Sequence, residues 1–205
     1  EFVKIDLRHD TLADYNGFFD IVVAVNTLHE VYSSYIGDDN KAYPVDKIKF
    51  AKEKITELIN NIGKMLTKDG TFILYDGLAP NTEQVEKNIS FTIINPMLSR
   101  YFDQAVSDYK LWMIPFTKKD EMVTMKYRDF SWFVITFKYL NTKLWPFESA
   151  QTYQYFSMEE FSKAFHEAGL IRESVSSLSN DLGLWKNNIQ IATRGMDFPP
   201  KAVML

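Results

Sequence analysis

A histidine and a glutamate stand side by side in the segment NTLHEV at residues 26–31. Imidazole titrates near neutrality, so His29 could remove a proton from a nucleophile as a general base. Glu30 could act as the base instead, or it could anchor a substrate hydroxyl or amine. The alternative for His29 is a structural role at the start of a helix, with its ring bonded to a carbonyl group. We predict a catalytic role for His29 and Glu30.

The other two histidines lie far from this pair in the sequence. His9 falls in a polar connection and His166 on the polar face of a predicted helix, so both are predicted to be structural. The three histidines do not have the spacing of metal ligands. The chain has no cysteine, which excludes disulfides and thiolate metal sites and favours a cytoplasmic location. The sequence therefore predicts no metal site.

An apolar run directly before the His–Glu pair indicates a strand. FDIVVAV at 19–25 is apolar without alternation, which is typical of a strand buried on both faces of a parallel sheet. A second run, TFILYD at 71–76, follows a long amphipathic helix that we predict from Asp46 to Leu66. This order of strand, helix and strand predicts that 20–25 and 71–76 are adjacent and parallel.

Polar residues follow each predicted strand at its carboxyl end. A strand predicted at 2–5 ends at Asp6, the next is followed by Asn26–Glu30, and the last ends at Asp76 and Gly77. Ligands gather at the carboxyl ends of parallel strands, so these residues are the best candidates for a binding site. For Asp76 and Gly77 the alternative is a simple turn.

Local patterns predict the remaining elements. Ser157 and Glu160 form a capping box that begins a helix, which ends at Gly169. We also predict a turn at 68–70, a helix at 97–113, a strand or helix at 126–140, a strand at 170–178, a loop at 180–188 and a strand at 201–205.

Aromatic residues are concentrated between residues 81 and 156, which hold 17 of the 31 in the chain. Such clusters build cores or apolar pockets. We predict that 81–156 is an insertion that covers the strand ends, with core packing as the alternative. Within it, Trp145, Gln151 and Tyr153 are predicted to bind substrate, although packing explains Trp145 and Tyr153 equally well. The same insertion could form a homodimer contact.

Length and charge limit the classes of partner. The chain has 205 residues, enough for one domain with an insertion, and a net charge of −4. It therefore lacks the basic balance that nucleic-acid binding requires. No apolar stretch is long enough for a membrane span. The chain begins with Glu rather than Met, and we expect it to be part of a longer protein.

Three sequence stretches carry a family resemblance. FFDIVVAVNTLHEV, then MLTKDGTFILYDG, then a helix ending in EAG before two more strands occur in this order. Together they resemble the C-terminal two-thirds of a class I S-adenosylmethionine-dependent methyltransferase. The resemblance implies an α/β fold with a Rossmann-like, mostly parallel sheet and an antiparallel C-terminal strand. Residues 1–80 and 157–205 would form this core and 81–156 a lid over the substrate site.

The resemblance also implies roles for the residues at the strand ends. Asp6 would accept a hydrogen bond from the adenine amino group of S-adenosyl-L-methionine, with Asp10 as a rival, and the Leu7 amide would contact the ring. The backbone at Asn26 and Thr27 would lie beside the sulfonium group of the cofactor. Both residues could also cap the following helix. Asp76 would contact a substrate, which we expect to be a small molecule.

One family feature is missing from the sequence. The glycine-rich loop after the family's first strand has no counterpart here, nor has the second strand, so the chain would begin at the third strand. We therefore expect the chain alone to bind the cofactor weakly and to be inactive. Two other interpretations stay open: a non-catalytic binding or assembly module, and a dehydrogenase-type Rossmann enzyme, which the LHEV and DG motifs fit less well.

Overall fold

The computed structural model describes residues 6–8, 12–36, 45–80, 82–107, 115–140, 142–152, 155–178, 182–199 and 202–204. The strand predicted at 2–5 lies outside them. The strands within these ranges are β1 (Phe19–Val25), β2 (Leu66–Gly77), β3 (Asn88–Ile93), β4 (Phe116–Lys119), β5 (Met122–Lys126), β6 (Ser176–Leu178), β7 (Ile189–Ile191) and β8 (Ala202–Met204). The helices are α1 (Leu28–Ile36), α2 (Val45–Met65), α3 (Thr82–Val85), α4 (Pro96–Ser107), α5 (Tyr127–Thr136), α6 (Trp145–Glu148), α7 (Met158–Glu167) and α8 (Leu182–Asn188). None of these helices combines the length and the apolar character that crossing a bilayer requires.

The first sheet has the strand order β1-β2-β8-β6. β1 and β2 are parallel, with Val23 opposite Ile73, which confirms the prediction for 20–25 and 71–76. β8 is antiparallel to both β2 and β6, which confirms an antiparallel C-terminal strand. The described part of this sheet therefore has one parallel and two antiparallel pairs. It is mixed, and the expectation of a mostly parallel sheet is wrong for these residues.

Helix α2 covers one face of the parallel pair. Its apolar residues recur at steps of three and four, so they form one buried stripe, as predicted. That face of the sheet includes Ala24 and Leu74, both buried. The opposite face carries Ile21, Val23 and Val25, which are 60%, 57% and 54% exposed. Burial on both faces, predicted from the uniform apolar run, is therefore wrong for the part of β1 that the structure describes.

A second sheet was not predicted. Its order is β4-β5-β3-β7, and every neighbouring pair is antiparallel. β3 lies in the predicted insertion, whereas β7 follows it in the sequence, and Phe91 pairs with Ile191. Buried residues of both sheets belong to one continuous core. The division into core and insertion stays a prediction, but the two parts share this sheet.

Helix α5 resolves the ambiguous segment at 126–140. Almost all of its side chains are buried, including Phe130 and Phe133, so it lies inside the core rather than on the surface. Its rings contact Phe91 of β3 and Phe102 of α4 at centroid distances of 4.9 to 6.0 Å. The predicted helix at 97–113 is observed as α4, and its last six residues lie outside the described part of the chain.

The capping box of α7 is confirmed. The Ser157 hydroxyl accepts from the Glu160 amide, and the Glu160 carboxylate accepts from the Ser157 amide. The turn predicted at 68–70 is instead a register shift within β2, opposite Phe19–Ile21. Gly70 is needed there because a Cβ atom would lie 2.9 Å from the carbonyl oxygen of Phe19.

Two further predictions are wrong in the described region. The loop predicted at 180–188 contains α8, because Trp185 is fully buried and its ring packs 5.8 Å from that of Phe198. That tertiary contact stabilises a helix here, although the local sequence around Gly183 favours helix only weakly. The strand predicted at 170–178 forms only at β6, and residues 170–175 are neither helix nor strand.

The two faces of β2 give a direct test of this arrangement. Leu74→Ala should lower the free energy of unfolding by about 2–5 kcal/mol, because it leaves a cavity in the core. The neighbouring control Ile73→Ala, on the exposed face, should cost less than about 1 kcal/mol. Urea unfolding of both variants measures the difference. Equal losses would mean that both faces of β2 are covered.

Candidate functional site

The carboxylate of Asp76, at the end of β2, is completely buried, accepts three hydrogen bonds from backbone amides and contacts an imidazole nitrogen. Its Oδ2 accepts from the backbone amides of Leu28 (2.8 Å) and His29 (3.2 Å). Its Oδ1 accepts from the amide of Gly77 (2.7 Å) and contacts the Nδ1 atom of His29 at 2.6 Å. A buried carboxylate needs such partners, because an unsatisfied one is strongly destabilising. Asp76 therefore fixes the start of α1 against the end of β2.

This arrangement decides how α1 is capped. The first amides of a helix lack partners within the helix and attract negative charge. Asn26 and Thr27 were open to this role by sequence, but the Thr27 hydroxyl donates to the carbonyl of Val25 (3.0 Å). Asn26 has a positive φ of 50° and turns the chain from β1 into α1. The cap is supplied by Asp76, 48 residues along the chain from Leu28.

The ring of His29 is held by the same carboxylate. His29 is buried, with 1% exposure, and its Nδ1 faces an acceptor that is already fixed by three backbone amides. A carboxylate acceptor favours the proton on Nδ1, which makes Nε2 the atom that can accept or carry a second proton. The structural role considered from the sequence was a His29 ring bonded to a carbonyl group. In the structure the ring is bonded to the carboxylate of Asp76 instead.

Tyr155 adds a second titratable group beside Asp76. Burial, together with the nearby Asp76 carboxylate, raises the pKa of Tyr155 well above its usual value. The hydroxyl contact with Asp76 lacks the geometry of a normal hydrogen bond. The Tyr155 ring stacks on that of Tyr32 at 5.2 Å, so α1 is held on this side as well. Sequence analysis did not single out Tyr155.

A cavity of about 260 Å³ opens at the ends of β1 and β2, and we call it the strand-end cavity. One wall consists of residues at or after the strand ends: Asn26, His29, Glu30, Tyr75 and Gly77. The other wall comes from the aromatic segment: Ile135, Lys138, Tyr139, Phe147, Glu148 and Gln151. The predicted site residues Asn26, His29, Glu30 and Gln151 are therefore brought together, and the aromatic segment forms the wall opposite the strand ends.

The remaining predicted residues lie elsewhere or have other contacts. Asp6 forms an ion pair with Arg8, 2.8 Å between Oδ2 and Nη2. Leu7 lines a different cavity of about 340 Å³. Trp145 is buried at the start of α6. Tyr153 and the rival Asp10 lie outside the described residues.

Several residues of the strand-end cavity were missed from the sequence. Lys138 and Tyr139 bring an ammonium group 5.1 Å from a ring centroid, and Phe147 and Tyr75 add two further aromatic rings. The high aromatic content of 81–156 was the available signal, but it did not distinguish the cavity wall from the core. That distinction depends on how α5 and α6 pack.

Comparisons of the chain with protein-family models, with curated proteins and with solved structures give no match. The geometry of the strand-end cavity and the sequence motifs around it are therefore what can support a function.

The role of Asp76 predicts a large stability loss on neutralisation. Asp76→Asn places an amide among four donor contacts, and we expect the free energy of unfolding to fall by about 3 kcal/mol or more. The control is Asp20→Asn. Asp20 is exposed, and within the described part of the chain its carboxylate accepts one hydrogen bond, from the Thr67 hydroxyl. It should cost less than about 1 kcal/mol. Similar losses in the two variants, measured by urea unfolding, would contradict the role of Asp76.

Because its pKa is raised, Tyr155 should make the folded protein less stable at high pH. The unfolded chain releases tyrosine protons near pH 10, whereas folded Tyr155 holds its proton to higher pH. Its contribution is complete below pH 10 and is lost as the pH rises towards the folded pKa, at up to about 1.4 kcal/mol per pH unit. Tyr155→Phe should flatten this fall between pH 10 and 12. Burial also raises the pKa of Tyr127 to about 12, so Tyr127→Phe should act in the same direction. An unchanged pH profile in Tyr155→Phe would contradict this account.

Proposed function

We propose that this chain is the C-terminal part of an S-adenosylmethionine-dependent methyltransferase with a Rossmann-like sheet, acting on a small molecule in the strand-end cavity. The observation that carries the proposal is the contact between His29 and Asp76 at the edge where two parallel strands end. Ligands bind at this edge in parallel sheets. The sequence motifs on both strands supply the resemblance to the methyltransferase family.

His29 is the general base in this proposal. Its Nδ1 side is occupied by Asp76, so the proton of the substrate nucleophile would go to Nε2. Asp76 acts through His29 rather than by touching the substrate, since its carboxylate is buried. The cavity is lined partly by aromatic rings, which would limit the access of water and align the nucleophile.

The residues of this chain could hold only part of the cofactor. S-adenosyl-L-methionine would supply the electrophilic methyl group. Asp6 offers a carboxylate with 42% exposure for the adenine end, although it is also paired with Arg8. Asn26 lines the cavity, and its positive φ turns the backbone at this point. The methionine end needs a glycine-rich loop, which the sequence lacks, so the proposal assigns that loop to a longer protein.

A second candidate is a binding or assembly module without catalysis. It is favoured by the exposed apolar face of Ile21, Val23 and Val25, continued by Ile73 at 37% exposure. A contiguous exposed apolar face of this kind suits contact with another polypeptide segment. That segment could belong to the longer protein or to another copy, although the homodimer predicted from the sequence would use residues 81–156 instead.

Cofactor binding separates the two candidates. A longer protein that includes the residues preceding Glu1 should bind S-adenosyl-L-methionine, and the 205-residue chain should bind it far more weakly. Calorimetry on the two proteins side by side measures both affinities. Absence of binding by the longer protein would leave the assembly module as the better candidate. Equal affinities would mean that the glycine-rich loop is not required.

The role of His29 has its own test in the longer protein. His29→Ala should lower turnover per folded molecule by about 10²–10⁴, with cofactor affinity nearly unchanged. The loss should be smaller for substrates that are already deprotonated. Glu30→Gln is the companion, because Glu30 also lines the cavity but is exposed. Normal turnover in both variants would assign the NTLHEV segment to structure alone.

A further inference from the structure

The strand-end cavity contains polar side chains that have no other task in the described part of the chain. Asn26, Glu30, Tyr75 and Gln151 line it. None of their side chains forms a hydrogen bond or an ion pair with a residue that the structure describes. Polar groups that converge on a cavity in this way are available to orient a ligand.

The charge of the lining is negative, and Glu30 is the reason. Two carboxylates, those of Glu30 and Glu148, face one ammonium group, that of Lys138. Lys138 lies 5.1 Å from the centroid of the Tyr139 ring, and both Lys138 and Glu148 take part in further interactions. Within the described residues, Glu30 is therefore the charged group that a ligand would have to neutralise.

Aromatic rings surround this charge. Tyr75, Tyr139 and Phe147 all line the cavity. Phe147 is 64% exposed, so burial in the core does not account for its position. The face of an aromatic ring attracts cations, and the Lys138 ammonium group over the Tyr139 ring shows such a contact at this wall. A carboxylate combined with ring faces is the chemistry that recognises ammonium groups.

We propose that the strand-end cavity recognises a small molecule through an ammonium group, which lies between the Glu30 carboxylate and the aromatic rings. The inference rests on the proposed function only in calling this molecule the substrate. The volume of about 260 Å³ limits the molecule to a small one. A neighbouring carboxylate keeps an amine charged, so the proton that passes to His29 comes from a different atom of the same molecule.

The proposed cofactor is a second possible source of positive charge, because its sulfonium group is also a cation. The family resemblance puts that group beside the backbone of Asn26 and Thr27. Glu30 lies further along the chain, on α1, and Phe147 lies on the opposite wall of the cavity. These positions favour the substrate as the source of the charge, and a competition experiment separates the two.

Three ligands of similar shape and different charge test the inference on the 205-residue chain. Choline carries a trimethylammonium group, neohexyl alcohol has carbon in place of its nitrogen, and the tert-butylacetate anion carries a negative charge. In titrations followed by ¹⁵N NMR, choline should shift the amide signals of Glu30 and Gln151. It should bind about tenfold more tightly than the alcohol, and the anion should bind most weakly. Choline binding that is absent, or no tighter than that of either other ligand, would overturn the inference.

Two variants identify the groups that hold the cation. Glu30→Gln should weaken choline binding by about tenfold and leave binding of the alcohol unchanged, which also shows that the cavity is still folded. The control Glu53→Gln removes an exposed carboxylate of α2 outside the cavity and should change neither affinity. Phe147→Leu keeps an apolar side chain but removes the ring, so it should weaken choline binding more than alcohol binding. Normal choline binding in Glu30→Gln, or equal losses for both ligands in Phe147→Leu, would contradict recognition of charge.

Calorimetry on the longer protein separates this inference from the proposed function. Choline should still bind when S-adenosyl-L-methionine is saturating, because the two molecules occupy different places. Mutual exclusion would assign the cation site to the cofactor and overturn the inference. If the longer protein binds choline but not S-adenosyl-L-methionine, the ammonium site stands and the methyltransferase proposal fails.

Discussion

A buried carboxylate that is completely surrounded by donors is the constraint on which this site depends. Asp76 is fully buried, and its two oxygens accept from three backbone amides and contact an imidazole nitrogen. A charge in such a place is tolerated only with near-ideal hydrogen bonding. The end of β2, the turn after β1 and the first turn of α1 must therefore hold one mutual position. Small shifts in any of them would leave a buried polar group without a partner.

The same constraint links the fold to the strand-end cavity. The parallel pairing of β1 and β2 brings both strand ends to one edge, and Asp76 then holds the His29 ring at the cavity wall. Tyr155 closes the arrangement from the aromatic segment, where burial raises the pKa of its hydroxyl. The opposite wall is built by residues of α5 and α6 and by residues that follow each of them, so the shape of the cavity depends on the aromatic core behind these helices. The proposed catalytic role of His29 rests on this chain of contacts rather than on the His–Glu pair alone.

Local patterns in the sequence predicted what depends on local contacts. The stripe of α2, the capping box of Ser157 and the β1–β2 pair follow from residue spacing within one or two elements. The second sheet did not, because β7 pairs with β3 about a hundred residues away. Likewise Asp76 was identified as a strand-end residue, but its capping of α1 depends on a contact across 48 positions. Helix α8 forms around Trp185, whose burial the local pattern does not reveal.

The tautomer of His29 tests the central claim most directly. Long-range proton–nitrogen correlation NMR on the ¹⁵N-labelled chain distinguishes a protonated Nδ1 from a protonated Nε2. If Asp76 orients the ring, Nδ1 carries a proton with the low-field shift of a strong hydrogen bond, and Asp76→Asn changes that shift while control Asp20→Asn does not. A neutral ring protonated only at Nε2, or a spectrum unchanged in Asp76→Asn, would contradict the account.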